Sequence, residues 1–204
     1  MIAIINYGLG NIKAFANVYK NLNIPFTIAS RFSELKYATK LILPGVGAFD
    51  HAMELLNNSG MRNELEDSVL NNKIPVLGIC VGMQILANIS QEGKLNGLGW
   101  IEGEVIKFSP IIDDKSMIIP HMGWNNVKQL KKNNLLNGID ENARFYFLHS
   151  YYFQCKDNEN CVAVTDYGTQ FACVVNSKNI WGVQFHPEKS HQWGIQVLKN
   201  FAEL

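Results

Sequence analysis

The first 90 residues alternate between short, continuously apolar runs and segments whose apolar residues recur at helical spacing. The apolar runs cover residues 2–5, 25–29, 41–43 and 74–79, and each has the length of a buried strand. Helical spacing is found in the segments between them, at 12–22, 52–56 and 61–70. Strands that alternate with helices favour a parallel sheet with right-handed crossovers.

The pattern changes after Gly97-Leu98-Gly99. Seven strand-like runs follow at close spacing, without a long amphipathic helix between them: 102–108, 117–120, 124–127, 145–149, 162–165, 171–175 and 180–185. A helical pattern closes the chain, with Gly194, Val197 or Leu198, and Phe201 facing inward. We therefore predict one α/β domain over residues 1–204, parallel in its first half and mixed or antiparallel in its second.

Composition narrows the function classes. The 204 residues carry 18 basic and 18 acidic side chains and no basic tract, so nothing indicates a nucleic-acid or anionic-membrane surface. No Cys-x-x-Cys pair occurs, so we expect no structural metal site. The N-terminus lacks the basic region of a signal peptide, and the longest apolar stretch, at 74–87, is too short to span a membrane. We expect a cytoplasmic protein with reduced thiols.

The most informative stretch is Gly78-Ile79-Cys80-Val81-Gly82, at the end of the fourth predicted strand. A small residue two positions before and after a nucleophile is typical of a strand-to-helix elbow, which holds the nucleophile in a strained turn. The N-terminus of a following helix would favour the thiolate. The alternative is a buried cysteine in a core strand.

The best candidate for a base is His186, within Phe185-His186-Pro187-Glu188 at the end of a predicted strand. In an extended segment, His186 and Glu188 can point the same way, so that Glu188 fixes the tautomer of the imidazole. The alternative is a solvated histidine beside a loop carboxylate. The other histidines lack an adjacent carboxylate or lie in polar surroundings: His51, His121, His149 and His191.

Pro44-Gly45-Val46-Gly47 follows the third predicted strand and should lie at the same sheet edge as Cys80. Its glycines can leave backbone N–H groups pointing into a site, so the loop is a candidate oxyanion donor beside the Val81 N–H. A plain turn is the alternative.

Together these motifs resemble the class I, triad-type glutamine amidotransferases. Three further stretches narrow the resemblance to the glutaminase subunits of imidazole glycerol phosphate synthase: Pro44-Gly45-Val46-Gly47, Pro120-His121-Met122-Gly123-Trp124-Asn125 and the run from Phe145 to Tyr151. The resemblance implies a flavodoxin-like fold that hydrolyses glutamine to glutamate and ammonia. It assigns Cys80 as the nucleophile, His186 as the proton carrier and Glu188 as the group that orients His186.

The resemblance also assigns binding roles. The oxyanion hole would be formed by the Val81 N–H and the Gly45-Val46 peptide. The residues that hold the amino-acid end of glutamine would be Gln84 and Glu92, with Ser150 and Tyr151 nearby. No metal or organic cofactor is implied.

The implied partner is a (β/α)8-barrel cyclase subunit that forms a heterodimer with this chain. It would use the ammonia to make imidazole glycerol phosphate and an aminoimidazole carboxamide ribotide. The contact residues would be His121, Met122, Trp124 and Asn125. Three alternatives remain: a related glutaminase that serves amidino-sugar synthesis for surface polysaccharides, a non-catalytic binding protein of the same fold, and a cysteine esterase.

Overall fold

The computed structural model describes residues 1–112 and 115–204. The helices are α1 (Ile12–Asn21), α2 (Phe49–Asn58), α3 (Arg62–Glu66), α4 (Val81–Gln84) and α5 (His191–Glu203). The strands are β1 (Ile2–Ile5), β2 (Phe26–Ala29), β3 (Lys40–Gly45), β4 (Val76–Cys80), β5 (Ile89–Ser90), β6 (Gly103–Lys107), β7 (Ile111–Ile112), β8 (Lys115–Ser116), β9 (His121–Asn126), β10 (Lys128–Gln129), β11 (Arg144–His149), β12 (Tyr151–Cys155), β13 (Cys161–Tyr167), β14 (Thr169–Ser177) and β15 (Ile180–Val183).

One mixed sheet forms the centre of the fold. Its parallel half has the order β2-β1-β3-β4-β15, and the sheet continues through β14, β12, β6 and β5. Strands β14 and β12 are antiparallel to both of their neighbours along this path, and β6 is antiparallel to β12 but parallel to β5. The predicted combination of a parallel first half with antiparallel strands in the second half is confirmed.

The parallel strands are apolar because helices cover them. Every residue of β1 and β4 is buried, as is expected where a sheet is packed on both faces. Helix α1 buries Phe15 and Tyr19, which lie at the helical spacing that the sequence indicated. Within the described parts of the chain, no helix has both the length and the hydropathy needed to cross a membrane.

In the second half, one predicted strand is wrong and one observed strand has no prediction. No strand forms at 117–120, where Ile118 is 80% exposed and its carbonyl accepts a hydrogen bond from the Tyr167 hydroxyl. An apolar run predicts a strand only where a neighbouring layer covers it, and Ile118 has no such cover. The sequence does not predict β12, because this strand directly follows β11 with only Ser150 between them, so that the two read as one run.

A separate antiparallel ribbon, β9 with β11, lies outside the central sheet. Its register pairs His121 with His149 and Trp124 with Tyr146. Strand β9 begins three residues before the predicted run at 124–127.

Candidate active site

Cys80 occupies a strained elbow between β4 and α4. Its backbone has φ +54° and ψ −114°, in the left-handed half of conformational space that residues with a Cβ rarely adopt. The predicted strand-to-helix elbow is therefore present in the structure. Strain of this kind persists only where the surroundings enforce it, and it is concentrated at functional sites.

Close backbone contacts enforce the elbow. A Cβ added to Gly78 would lie 2.5 Å from the carbonyl oxygen of Gly82, and one added to Gly82 would overlap the carbonyl oxygen of Leu43. A Cβ on Gly45 would overlap the backbone nitrogen of Gly82. The glycines on both sides of Cys80, and the one that ends β3, therefore allow three backbone segments to meet.

The helix that the sequence predicts after Cys80 is present but short. Helix α4 ends at Gln84 after a single turn. A helix dipole depends on many aligned peptide units, so one turn gives Cys80 only a small part of the expected stabilisation. The charge of a thiolate here must be met mainly by neighbouring side chains and backbone groups.

His186 and Glu188 are in direct contact. The Nδ1 atom of His186 lies 3.0 Å from Oε1 of Glu188, and both side chains are almost fully buried. The backbone between them is a 3₁₀ turn at Pro187–Lys189 rather than the extended segment that we expected. With Nδ1–H donated to the carboxylate, the Nε2 atom of His186 is left for Cys80.

The surroundings of His186 favour its charged form. Burial alone would lower the pKa of His186, but hydrogen bonds to the Cys80 thiol and the Glu188 carboxylate, together with the charges of both groups, raise it to about 10. At neutral pH the ring is therefore an imidazolium between a sulfur atom and a carboxylate. A histidine held between a cysteine sulfur and a carboxylate is the arrangement that cysteine-dependent hydrolysis requires.

One cavity of about 280 Å³ connects these groups. It is lined by eight of the residues that the sequence assigned to catalysis, the oxyanion hole or glutamine binding: Val46, Cys80, Val81, Gln84, Glu92, Ser150, Tyr151 and His186. Gly45 and Glu188 stand behind this lining, next to Val46 and His186 respectively. Five residues without an individual assignment complete the wall: Gly47, Pro120, Leu148, His149 and Lys189.

Gln84 reaches the cavity as an acceptor. Its Nε2 atom donates to the Tyr151 carbonyl at 2.9 Å and to Oε1 of Gln184 at 3.1 Å, so both of its N–H groups are used within the protein. Its Oε1 atom is the polar group that remains for a ligand, and it suits a ligand ammonium group.

Glu92 borders the cavity on another side. Its Oε2 atom accepts a hydrogen bond of 2.8 Å from the Phe49 N–H, at the start of α2. Burial raises the pKa of Glu92, the Phe49 hydrogen bond partly offsets this, and the charge of Asp50 raises it further. The carboxylate therefore has a fixed position from which its second oxygen can meet a ligand cation.

His149 is a site residue that the sequence analysis did not identify. It is buried in the cavity wall, and burial lowers the pKa of its ring to about 3 despite the raising effect of the Tyr151 carbonyl. Its Nδ1–H donates to that carbonyl at 2.8 Å, so its neutral Nε2 must accept from Nδ1 of His121 at 3.1 Å. The two rings form a neutral hydrogen-bonded pair that fixes Tyr151 O. A lone histidine without a neighbouring carboxylate gave no sequence signal for this role.

His121, which the resemblance assigned to the partner surface, has a side chain that is only 3% exposed in the isolated chain. Successive residues of a strand point to opposite faces, so a contiguous run cannot present every side chain to one partner. Met122 and Trp124 lie on the exposed face of β9, whereas Asn125 lies on the other face and donates to the Asp166 carbonyl. The predicted contact residues are thus divided between two faces of the ribbon.

Residues 1–112 and 115–204 contain no cluster of three histidine, cysteine, aspartate or glutamate side chains arranged to hold an ion.

Comparison with known proteins gives one consistent family. The family described as "Glutamine amidotransferase class-I" matches residues 3–204. A Bdellovibrio bacteriovorus protein named imidazole glycerol phosphate synthase subunit HisH is 56% identical over 204 residues, covering all of both chains. Proteins of the same name from Leptospira borgpetersenii and Leptospira interrogans are 53% and 52% identical, again over the full length of both chains.

Solved structures agree on the fold. A structure titled as a glutamine amidotransferase superposes with a TM-score of 0.77 at 16% identity, covering 100% of this chain and 99% of the other. A putative GMP synthase protein from Thermoplasma acidophilum gives 0.72 at 21% identity, covering 99% of this chain and 92% of the other. At such identities the likeness shows the fold alone, which is the fold that the sequence motifs implied.

Proposed function

The chain belongs to the class-I glutamine amidotransferase family, and we propose that it is the glutaminase subunit of an imidazole glycerol phosphate synthase. The relatives that carry this name match it from end to end, which supports a single functional unit over residues 1–204. The observation that carries the proposal is the meeting of a strained Cys80 with the buried His186–Glu188 pair in one cavity of amino-acid size.

In the first half of the reaction, the Cys80 thiolate attacks the side-chain amide carbon of glutamine. The carbonyl oxygen becomes an oxyanion, which the Val81 N–H and the Gly45-Val46 peptide stabilise. When the C–N bond breaks, the His186 imidazolium donates its proton to the departing nitrogen, and ammonia leaves. A thioester to Cys80 remains.

In the second half, a water molecule attacks the thioester. Neutral His186 accepts a proton from this water, the C–S bond breaks, and glutamate is released with the Cys80 thiolate restored. Glu188 does not exchange protons in this scheme. It keeps the imidazole in one orientation and stabilises the imidazolium at the start and end of each cycle.

Glutamine is oriented by groups on the opposite wall. Gln84 Oε1 and the Glu92 carboxylate suit the α-ammonium group, because both are acceptors whose positions are fixed by hydrogen bonds within the protein. Ser150, between β11 and β12, and Tyr151, the first residue of β12, also line the cavity. This arrangement distinguishes an amino acid from a simple amide.

The ammonia passes to a (β/α)8-barrel cyclase subunit, bound as a heterodimer, which forms imidazole glycerol phosphate and aminoimidazole carboxamide ribotide for histidine synthesis. We place this assembly in the cytoplasm, where the four cysteines would remain free thiols as they are in the structure.

The test is the complex with Cys80→Ala. Glutamine-dependent cyclisation should fall below detection, while turnover with added ammonium salt stays within about twofold of wild type, because only amide cleavage needs the thiolate. Parallel loss of both activities would assign Cys80 to assembly instead. The same assay is repeated with the barrel subunit of an amidotransferase from surface-sugar synthesis. If glutamine hydrolysis were stimulated by that barrel and not by the cyclase, the chain would be assigned to amidino-sugar synthesis instead.

A further inference from the structure

Gln184 is a buried amide in contact with the nucleophile. It follows β15, and because Val183 pairs with Ile79 in the parallel register, the next residue along each strand brings Gln184 beside Cys80. Its Nε2 atom lies 3.8 Å from Sγ of Cys80, within the distance of a hydrogen bond to sulfur. The side chain is fully buried, so water does not compete for this contact.

The hydrogen-bond chain settles which end of the amide faces the sulfur. The Tyr151 carbonyl is an acceptor only, so the atom of Gln84 that contacts it at 2.9 Å must be the Nε2 donor. The second N–H of Gln84 points to Gln184 at 3.1 Å and requires an oxygen there. Oε1 of Gln184 therefore faces Gln84, and its NH₂ group faces Cys80.

A donor at this position favours the thiolate over the thiol. The carbonyl of Leu148 lies 3.9 Å from Sγ on another side, where it can accept from a thiol but opposes a negative charge. With only one helical turn after Cys80, the backbone dipole offsets little of this opposition. The hydrogen bond from Gln184 and the positive charge of the His186 imidazolium supply the stabilisation of the thiolate that the short helix does not.

We propose that Gln184 is a catalytic residue, which stabilises the Cys80 thiolate through its side-chain N–H group and is held in that orientation by Gln84 and Tyr151. This proposal rests on the assignment of Cys80 as the nucleophile of a glutaminase. In the reaction, Gln184 holds the sulfur charged before attack and again as the thioester breaks. It forms and breaks no covalent bond.

The decisive variant is Gln184→Met, which keeps a similar length and volume but has no N–H donor. Its control is Gln170→Met, an exposed position on β14 that is not part of the cavity lining. The measurement is the rate of iodoacetamide labelling of Cys80 across pH, followed by mass spectrometry of the Cys80 peptide so that Cys155, Cys161 and Cys173 do not contribute.

For Gln184→Met, we expect the pH of half-maximal labelling to rise by about one unit, because a hydrogen bond to a charged group favours that form by about tenfold. In the complex, kcat for glutamine should fall about tenfold with KM nearly unchanged. Ammonia-dependent turnover and the Gln170→Met control should match wild type.

An unchanged labelling profile would overturn the proposal, even if turnover were lost, because Gln184 would then only support the packing of the site. Should Gln184→Met fail to fold, Gln184→Leu serves, since it also removes the amide N–H without adding a charge beside the sulfur. Labelling needs no turnover. A wild-type complex with liganded barrel that lacked glutaminase activity would therefore refute the proposed function and leave the contact with the sulfur separately testable.

Discussion

At the scale of single residues, the site is a set of charges whose positions are fixed by backbone contacts. Ser190 Oγ donates to the His186 carbonyl at 2.7 Å, and the His186 N–H donates to the Tyr146 carbonyl at 2.9 Å. These bonds hold the backbone of His186, and the contact of its Nδ1 with Glu188 Oε1 at 3.0 Å holds the ring. The raised pKa of His186 is thus a property of this geometry, and it gives a prediction about pH.

Glu188→Gln should lower the pH at which His186 titrates. In wild type, NMR of the ring should show an imidazolium up to pH about 10. Because this lies above the value of about 6.5 for an unfolded chain, the stability that His186 contributes is complete below pH about 6.5 and is lost as pH rises through about 10. Removing the carboxylate charge should lower the midpoint by about one to three units.

The control for this prediction is Glu54→Gln, which removes an exposed carboxylate on α2. Glutamine hydrolysis should fall less in Glu188→Gln than in His186→Ala, because Glu188 orients the ring that itself carries the proton. A His186 midpoint near 6.5 in the wild-type chain, or one that Glu188→Gln does not move, would contradict the ion-pair description.

At the scale of elements, the site is assembled at the carboxyl edge of the parallel strands. Strand β3 delivers Gly45 beside Cys80 at the end of β4, and β15 delivers Gln184 and His186 on the other side. The loop after β1 completes the support, since the Tyr7 hydroxyl donates to the Pro44 carbonyl at 2.7 Å in a buried position. Neighbouring parallel strands thus bring together residues that are far apart in the sequence.

The sequence predicted the parallel strands and the elbow because these depend on local patterns. The apolar runs at β1 and β4 and the glycines around Cys80 are readable one segment at a time. It did not predict the roles of His149 or Gln184, because neither has a neighbour in the sequence that signals its function. Their roles arise from strand register and from hydrogen bonds between distant parts of the chain, such as the contact between Gln84 and Gln184.

Tyr7→Phe tests whether the hydrogen bond from Tyr7 to Pro44 holds the end of β3, where the proposed oxyanion loop begins. Burial, and then the charge of Cys80, raise the pKa of Tyr7, so its hydroxyl stays protonated and donates to Pro44. Loss of this bond should lower the free energy of unfolding by about 1 kcal/mol. It should also reduce glutamine hydrolysis several-fold, because the peptide before Gly45-Val46 is less firmly held.

The matched control is Tyr37→Phe, which removes a hydroxyl from a ring that is 71% exposed. Denaturant unfolding gives the change in stability, and kcat for glutamine, with ammonia-dependent turnover as reference, gives the change in the site. A loss of stability in Tyr7→Phe with full glutaminase activity would limit Tyr7 to a structural role.

At the scale of the whole molecule, the ribbon extends the site toward a partner. Register pairs Met122 with Leu148 and Trp124 with Tyr146, so these four side chains lie on one face. Met122 is 65% exposed, while Leu148 also lines the cavity. This face of the ribbon thus extends from the cavity, at Leu148, to Trp124. The Trp124 ring stacks on His191, with the ring centroids 5.1 Å apart. A protein bound there would cover the mouth of the site and receive the ammonia.

Trp124→Ala should therefore weaken docking of the barrel subunit while the chain itself stays folded. Large aromatic side chains at the centre of an interface often account for about 2 kcal/mol or more of binding, which corresponds to an affinity loss of about 30-fold. Calorimetry of the two subunits measures this loss, and Tyr37→Ala, an exposed aromatic residue before the amino end of β3, is the control.

Docking should also control the chemistry. The Gly45-Val46 peptide can point either its N–H or its carbonyl group at the developing charge, and losing one such donor costs about 10²–10³ in rate. We expect the isolated chain to hydrolyse glutamine slowly and the complex with liganded barrel to hydrolyse it about a hundredfold faster. In Trp124→Ala, this stimulation should require a higher concentration of barrel, with the unstimulated rate unchanged. Full hydrolysis by the isolated wild-type chain would contradict the switch, because ammonia would then be released with no partner to consume it.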